Sequence, residues 1–398
     1  MASHMNTTTH QSDPGHIPGT DHRWLALALV CLVQFMVILD VAIVTLALPS
    51  IKTSLGFSET GLQWVISAYT LTFGGLLLLG GRAGDLLGRR RVLMAGLVVF
   101  AGASLACGLA SSAGMLIAAR AVEGVGAAIV SPATLAIVST TFPDAGAERN
   151  KAMGIFFAMG GLGPAVGVLA GGLLTSGPGW EWIFFINLPV AMLALLLAPR
   201  LLSESRAELG HRRFDAAGAV LGTAGLSLLV YAVVSTNTHH WGSVTTIGLL
   251  AAAAALLAAF LAIEARSRFA LMPLGFFRNL TVSGANAVAL LLGTSIFAMF
   301  FFLSLYMQQV LHYSATSAGL AFLVVALLVV VFSGVGQAMV TRVGVKPVLA
   351  GGMALIAASQ FWFIRLPVHG SYLADVLPGF VVVAVGLAWP SCRWESPP

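Results

Sequence analysis

Twelve apolar runs, each close to the length that crosses a lipid bilayer, dominate this chain. A helix rises about 1.5 Å per residue, so roughly 20 apolar residues span the hydrocarbon core. Inside that core every backbone group must find its hydrogen bond within the protein, which favours helices. The sequence therefore predicts an all-α, polytopic membrane protein. Its predicted spans are 24–48, 62–80, 92–110, 114–138, 152–174, 183–201, 216–235, 244–264, 280–308, 317–340, 348–365 and 374–390.

Composition and charge agree with this class. Only 9% of the residues are charged, against roughly 25% in soluble domains. The basic residues lie in alternate connectors, sixteen on one side of the predicted membrane and only Lys52 and Arg365 on the other. Cytoplasmic connectors carry such an excess of Lys and Arg, so we expect a multi-pass protein of the cytoplasmic membrane with its N-terminus inside. The net charge of +5 then faces anionic lipid and does not indicate nucleic acid.

Several function classes lack their usual residues. Cys31, Cys107 and Cys392 are far apart and have no His or Cys at metal-ligand spacing, so no metal site is expected. The chain has no G-x-x-x-x-G-K-[ST] phosphate loop, which argues against an ATP-driven pump. The sequence also has no recognisable nucleophile–base pair of the kind that would indicate an enzyme. Residues 1–23 are polar without a cleavable signal and are expected to form a disordered cytoplasmic tail.

Charged side chains inside two predicted spans are the strongest candidates for function. Asp40 lies sixteen residues after Trp24, roughly 24 Å along the first span. Arg120 and Glu123 lie in the fourth span, three residues apart and therefore on one helical face. An ionised side chain at such depth costs roughly 3 kcal/mol or more, so these residues need a partner or a purpose.

Two glycine-containing motifs accompany these charges. "GRAGDLLGRRRVL" (81–93) joins the second and third spans and combines a tight turn with an acid and an arginine triplet. "GGLGPAVGVLAGG" (160–172) lies in the fifth span, where small residues allow close helix packing. The sixth span opens with "WEWIFFINLP" (180–189).

In this order the motifs resemble the fourteen-span drug:proton antiporter family of the major facilitator superfamily. "LDVAIVTLALP", "RAVEGVGAA", "RRFDAAGAVL" and "LYMQQVLHYSATSAGL" add to the match, which covers about 24–387. The resemblance implies a major facilitator fold, with two six-helix bundles around a cavity that opens alternately to each side. It also implies export of a lipophilic small molecule driven by inward proton flow, with no cofactor.

The resemblance assigns a proton-coupling role to Asp40, Arg120 and Glu123. The family fold places the first and fourth spans side by side, so Asp40 and Arg120 should meet at compatible depth. A lipophilic cation would then compete with the proton for Asp40. A static structural pair remains the alternative, and Glu123 is the nearer carboxylate to Arg120 by sequence. The family usually has Gln at the place of Glu123, which leaves the proton stoichiometry open.

Two further groups of residues follow from the motifs. The first is a cytoplasmic gate, comprising Gly81, Asp85, Gly88, Arg89 and Arg90. The second is the antiporter helix motif, comprising Gly163, Pro164, Gly167, Gly171 and Gly172. We expect this motif to pack against its counterpart in the other half of the protein and to close a leak path, although helix packing alone explains any single glycine.

Polar or aromatic groups inside the spans are candidates for substrate contact. The alternative for each is a hydrogen bond between helices. These candidates are Gln34, Tyr69, Asn187, Asn286, Tyr306 and Gln308.

Internal register predicts the domain organisation. The basic glycine loop begins 57 residues after the first span, and a degenerate copy, "GQAMVTRVGVKPVLAGG", begins at Gly336. The second half should therefore begin near 280. This gives a six-helix bundle over 24–202, a linker with two inserted helices over 203–265, and an incomplete bundle of about four helices over 266–398. The apolar pattern stops at Pro390, so we expect a truncated C-terminal bundle.

The sequence thus favours proton-coupled export of lipophilic or cationic drugs or antibiotics. Its expected partners are the small-molecule substrate, protons and membrane lipids, and the oligomeric state is open. Export of an endogenous metabolite or antibiotic is one alternative. An inactive, truncated transporter is the other.

Overall fold

The computed structural model describes residues 20–143, 146–206, 216–236, 239–266 and 274–388. Most of the predicted N-terminal tail and the end of the chain after Ala388 lie outside these ranges. Each of the twelve predicted runs coincides with helix, and no β-strand occurs within the described ranges. The α-helices there are α1 (Thr20–Leu55), α2 (Glu59–Leu87), α3 (Arg89–Gly108), α4 (Ala113–Thr141), α5 (Ala147–Ser176), α6 (Trp182–Phe185), α7 (Asn187–Leu201), α8 (Ala216–Ser235), α9 (Val244–Arg266), α10 (Leu280–Leu305), α11 (Ala315–Val343), α12 (Val345–Phe363) and α13 (Leu377–Ala388).

Length and hydropathy confirm the membrane class. Within the described residues, seven helical segments are long and apolar enough to cross a membrane. They are His22–Leu55, Thr60–Leu87, Arg89–Gly108, Ala113–Thr141, Trp182–Leu201, Val244–Arg266 and Leu280–Val310. Shorter apolar segments lie at Val220–Val233, Thr316–Val329 and Tyr372–Ala388. The chain is an all-α multi-pass membrane protein, and the count of twelve spans stays a prediction.

Local sequence chemistry sets several helix boundaries. Ser58 and Ser112 cap α2 and α4, because their hydroxyls accept hydrogen bonds from the amides of Gly61 and Met115. Gly88, at a φ of +110°, joins α2 to α3 in a conformation that side chains rarely adopt. The predicted sixth span is divided into α6 and α7 near Pro189, whose ring nitrogen cannot donate to the helix ladder.

Helices α1 to α7 pack around α1 and α4. Val33, Ile43 and Val44 of α1 are fully buried. Glycines bring α4 very close to its neighbours: a Cβ at Gly126 would meet the backbone of Phe100 in α3, and one at Gly124 would meet the carbonyl of Tyr69 in α2. Close approach through small residues is the usual packing device inside membranes. The charged residues of α1 and α4 are thereby enclosed.

The remaining helices form two further groups. Helices α8 and α9 pack on each other and α8 also packs on α2, where the Thr223 hydroxyl donates to the carbonyl of Gly75 at 2.7 Å. Helices α10, α11, α12 and α13 surround Phe322 and Phe380, whose rings are 5.3 Å apart. The division into six, two and four helices stays a prediction. The two larger groups also meet, since Leu46 of α1 packs in the Phe322 cluster.

A methyl group at Gly124 should separate α2 from α4. The added Cβ would clash with the Thr72 hydroxyl and the Tyr69 carbonyl, so we expect Gly124→Ala to cost about 1–3 kcal/mol of stability. Gly114→Ala on the same helix is the control, because its Cβ would meet open space. Thermal unfolding of the purified proteins in detergent measures the stability of both variants. Equal midpoints for the two variants would contradict the close approach.

Candidate functional site

A fully buried charge cluster lies between α1 and α4. Nη1 of Arg120 is 2.7 Å from Oδ2 of Asp40 and 2.7 Å from Oε2 of Glu123. The side chains of Arg120, Asp40 and Glu123 are 1%, 0% and 0% exposed. We call these three residues the charge cluster. The sequence-based expectation that Asp40 and Arg120 meet at one depth is confirmed, and Glu123 shares the same guanidinium nitrogen.

Four other helices hold the charge cluster in place. Nε of Arg120 donates to the Val65 carbonyl of α2 at 3.1 Å, and its guanidinium carbon lies 4.2 Å from the centre of the Tyr69 ring. The Asn187 amide of α7 donates to Oδ1 of Asp40 and to the Ser104 hydroxyl of α3, each at 3.0 Å. The Ser104 hydroxyl in turn donates to the Phe184 carbonyl of α6 at 3.0 Å. Both carboxylate oxygens of Asp40 are thus held by hydrogen bonds from neighbouring helices.

The charges of the cluster do not cancel. With both carboxylates ionised and Arg120 protonated, its formal charge is −1, and taking up one proton makes it neutral. Burying an ion costs several kcal/mol even after relaxation, so this difference is energetically large. Oε1 of Glu123, buried and without a hydrogen-bond partner among the described residues, has room for a proton or a new donor. The arrangement can therefore bind and release a proton.

Two of the predicted substrate contacts pack against the charge cluster, and their role in substrate binding stays a prediction. Asn187 is 1% exposed and uses its amide group on Asp40 and Ser104. Tyr69 is 1% exposed and stacks on Arg120. Neither side chain reaches an open surface, so in this conformation both support the cluster.

The other four predicted substrate contacts lie in different surroundings. Gln34 lines a cavity and accepts a hydrogen bond from the Thr134 hydroxyl at 2.9 Å. Asn286 is exposed and donates to the Val282 carbonyl of its own helix at 2.8 Å. The Tyr306 hydroxyl donates to the Pro367 carbonyl at 2.7 Å, and the Gln308 amide donates to the Ser304 hydroxyl at 2.9 Å. A role in substrate binding stays a prediction for these residues.

The arginine-rich turn between α2 and α3 is held by a residue that the motif does not contain. Nη2 of Arg89 lies 2.9 Å from Oδ1 of Asp85, so these two residues of the predicted cytoplasmic gate form an ion pair. Arg90, however, is directed to the segment after α7: its backbone amide donates to Oε1 of Glu204 at 3.2 Å, and its Nη1 donates to the Leu202 carbonyl at 3.1 Å.

Glu204 therefore binds the first turn of α3. Its carboxylate also lies 3.6 Å from Nε of Arg91. A carboxylate at a helix N-terminus is favoured by the free amides and the helix dipole there. Gly81, at the same end of α2, faces Pro132 of α4, where an added Cβ would make an ordinary van der Waals contact at 3.5 Å. The gate role of Gly81, Asp85, Gly88, Arg89 and Arg90 stays a prediction.

The predicted partner of the antiporter helix motif is wrong for three of its glycines. Gly163, Gly167 and Gly171 face α1 of the same group, where an added Cβ would meet residues 38–43. The reason is that positions four apart form one face of α5, and α1 occupies that face. Gly172 lies at the seam with the later helices, since the Thr316 hydroxyl of α11 donates to its carbonyl at 3.1 Å. The side chain of Pro164 lies outside the described part of α5.

Fold and site together define an α-helical membrane protein with a buried charge cluster. The model of the Major Facilitator Superfamily matches residues 30–393. The chain belongs to this family of transporters, as its motifs indicate. The fourteen-span subdivision stays a prediction.

Proteins named for antibiotic resistance or export are similar to this chain over most of its length. It is 40% identical to the puromycin resistance protein pur8 of Streptomyces alboniger, over 92% of this chain and 73% of that protein. It is 39% identical to the cephamycin export protein CmcT of Amycolatopsis lactamdurans, over 96% of this chain and 79% of that protein. The tetracenomycin C resistance and export protein of Streptomyces glaucescens is 33% identical, over 96% of this chain and 72% of that protein.

Solved structures agree on the fold. The peptide transporter POT in complex with sulfate superposes with a TM-score of 0.64 at 14% identity, covering 91% of this chain and 80% of that one. The inward open xylose transporter XylE from E. coli superposes with a TM-score of 0.56 at 16% identity, covering 92% and 80%. At this identity the likeness supports the major facilitator fold alone.

Removing the arginine of the charge cluster should destabilise the protein strongly. Arg120→Met leaves two buried carboxylates without a cation, and breaking a buried ion pair in this way costs about 3–5 kcal/mol. Arg91→Met is the control, because that side chain is 67% exposed. Thermal unfolding and the monodisperse fraction in detergent report the effect, and adding Asp40→Asn with Glu123→Gln should restore part of it. An Arg120→Met protein as stable as the control would contradict the assignment.

Loss of Glu204 should loosen the segment after α7. Glu204→Ala removes the acceptor for the Arg90 amide, with an expected loss of about 1 kcal/mol, as for other helix N-terminal acceptors. The readout is the labelling rate of Ser205→Cys by a membrane-impermeant maleimide, which should rise. The same cysteine in a Glu148→Ala background is the control, since Glu148 is exposed on α5. An unchanged rate would show that Glu204 does not hold this segment.

Proposed function

We propose that this protein exports small antibiotic-like molecules across the cytoplasmic membrane in exchange for protons, by alternating access. The observation that carries the proposal is the buried charge cluster, which differs by one formal charge between its proton-loaded and proton-free states. Membership of a transporter family gives this proton a transport step to drive. The proton gradient is the energy source, and no cofactor is needed.

The substrate class rests on the relatives. Proteins that share 33–40% of their residues with this chain are named for resistance to puromycin or for export of cephamycin and tetracenomycin C. One of these names, that of the tetracenomycin C protein, joins resistance to export, which favours a lipophilic antibiotic made by the cell or met from outside. Export of an endogenous metabolite therefore remains the second candidate. The partners are the substrate, protons and membrane lipids.

The proton cycle assigns a role to each charged residue. Asp40 takes up a proton when the charge cluster opens to the outside, and Arg120 stabilises the ionised form after the proton leaves to the cytoplasm. Glu123 stays bound to Arg120 and keeps the arginine paired while Asp40 is protonated. The neutral and the charged cluster differ in desolvation cost, so protonation biases which conformation the bundle adopts.

The orientation follows from the basic residues. Arg89, Arg90 and Arg91 and the start of α1 lie at one end of the bundle, which we place in the cytoplasm together with the N-terminus. Proton entry from the opposite end then matches a protonmotive force that is directed inward. In this orientation Asp85, Arg89 and Glu204 close or open the cytoplasmic side.

Replacing Asp40 by Asn should abolish uphill export and leave folding intact. The amide is close to the carboxyl group in shape but binds no proton in the working range, so the cluster loses its two charge states. Substrate-induced proton release from energised inside-out vesicles measures coupling. Glu148→Gln, an exposed carboxylate-to-amide change, is the control and should couple normally.

The Glu123→Gln variant tests whether one carboxylate or two carry protons during transport. An unchanged proton-to-substrate ratio assigns the coupling to Asp40 alone, and a reduced ratio makes Glu123 a second carrier. An Asp40→Asn protein that still couples export to protons would overturn the proposed cycle. No proton-linked export by the wild-type chain, inserted and challenged with puromycin and with uncharged antibiotics, would instead support the inactive alternative.

A further inference from the structure

A cavity of about 260 Å³ opens between α1, α2, α4 and α5. Pockets that hold whole drug-sized ligands measure roughly 300–1,000 Å³, so this one fits a single ring or alkyl group of a larger molecule. Most of its wall is apolar and two of its side chains are aromatic. The wall includes Ile38, Leu77, Pro132, Leu135, Phe156 and Phe157.

One oriented amide provides the polar side of the cavity. Oε1 of Gln34 accepts from the Ser131 hydroxyl at 3.2 Å and from the Thr134 hydroxyl at 2.9 Å. The Thr134 hydroxyl also lies 2.7 Å from the Ser131 carbonyl, whereas the Ser131 hydroxyl donates to no other described residue, so Ser131 is the donor that directs the amide oxygen towards α4. Nε2 of Gln34 forms no hydrogen bond with another described residue. The amide therefore offers N–H donors to a ligand in the cavity.

The cavity and the charge cluster are separate. The described side chains that line the cavity are all uncharged. Asp40 lies six residues beyond Gln34 on α1, about 9 Å along the helix, and is 0% exposed. Both of its carboxylate oxygens are engaged, one by Arg120 and one by Asn187. A cation in the cavity would find no carboxylate to pair with and would lose hydration without compensation.

We infer that this cavity binds an uncharged group of the exported molecule, an aromatic or alkyl group beside a hydrogen-bond acceptor such as a carbonyl oxygen, while the proton binds at the separate charge cluster. The inference rests on the proposed function and names its substrate chemistry. It differs from the sequence-based expectation that a lipophilic cation competes with the proton for Asp40. Substrate and proton then act on each other through α1, which carries both sites.

Helix α5 links the two sites as well. Phe156 and Phe157 line the cavity, and about two to three turns further along, Gly163 and Gly167 face α1 at residues 38–43, which include Asp40. A ligand that pushes on the aromatic pair thus acts on the helix that borders Asp40. No direct contact between ligand and carboxylate is required.

Two aryl phosphorus compounds test the chemistry directly. Triphenylphosphine oxide is uncharged and has one strong hydrogen-bond acceptor, whereas tetraphenylphosphonium is a cation without an acceptor. Calorimetric titration of the full chain in lipid nanodiscs measures the affinity for each compound. We expect triphenylphosphine oxide to bind and Gln34→Leu to weaken it about fivefold to tenfold, the usual effect of one lost hydrogen bond.

Two variants complete the test. Gln63→Leu is the matched control, because Gln63 is exposed near the start of α2 and does not line the cavity, and it should bind as the wild type does. Asp40→Asn should still bind triphenylphosphine oxide, because no carboxylate lines the cavity. The inference is overturned if Gln34→Leu binds like Gln63→Leu, if the folded chain binds neither probe, or if tetraphenylphosphonium binds more tightly and loses its affinity in Asp40→Asn.

The binding assay uses no gradient, so it is independent of the vesicle assay for proton-coupled export. If proton-coupled export is observed but Gln34→Leu binds triphenylphosphine oxide as the wild type does, the inferred binding site is wrong and the proposed function stands. A positive Gln34 test in a chain that shows no proton-linked export keeps the site and removes the proposed function.

Discussion

The contact of one arginine with two buried carboxylates is the interaction on which the bundle depends. Arg120 joins α4 to Asp40 of α1 and to the Val65 carbonyl of α2, so a single side chain ties three helices together. In a low-dielectric interior, neither the cation nor the anions can be left alone. The enclosing helices must therefore approach closely enough to exclude water, and the packing follows from that requirement.

Glycine provides this close approach on several sides of the cluster. Gly124 follows Glu123 directly and brings α4 onto the backbone of α2. Gly163 and Gly167 bring α5 onto the stretch of α1 that includes Asp40. With any larger residue the helices would separate by the width of a side chain and admit solvent to the charges. In the glycine motif of α5, Gly163 and Gly167 thus face α1 near the charge cluster, and Gly172 lies at the seam with α11.

Sequence reasoning predicted the class, the helices and the meeting of Asp40 with Arg120, because run length and depth along a helix need no knowledge of neighbours. It expected Gly163, Gly167 and Gly171 to face the other half, whereas they face α1, since apolar helices are hydrophobic on all sides and spacing defines a face without naming its partner. Glu204 was missed because it lies outside any motif, and its pairing with Arg90 depends on how the chain returns after α7. Asn187 was recognised as a buried polar residue, but only its bonds to Asp40 and Ser104 assign it to the cluster.

Two sites on one helix change what coupling requires. If substrate and proton met at one carboxylate, competition for charge would restrict the substrate to cations. With Gln34 and Asp40 about 9 Å apart on α1, the cavity can accept uncharged molecules, and the proton acts by changing the net charge that the bundle must enclose. The wall near Gln34 can then vary with the substrate while the cluster stays constant.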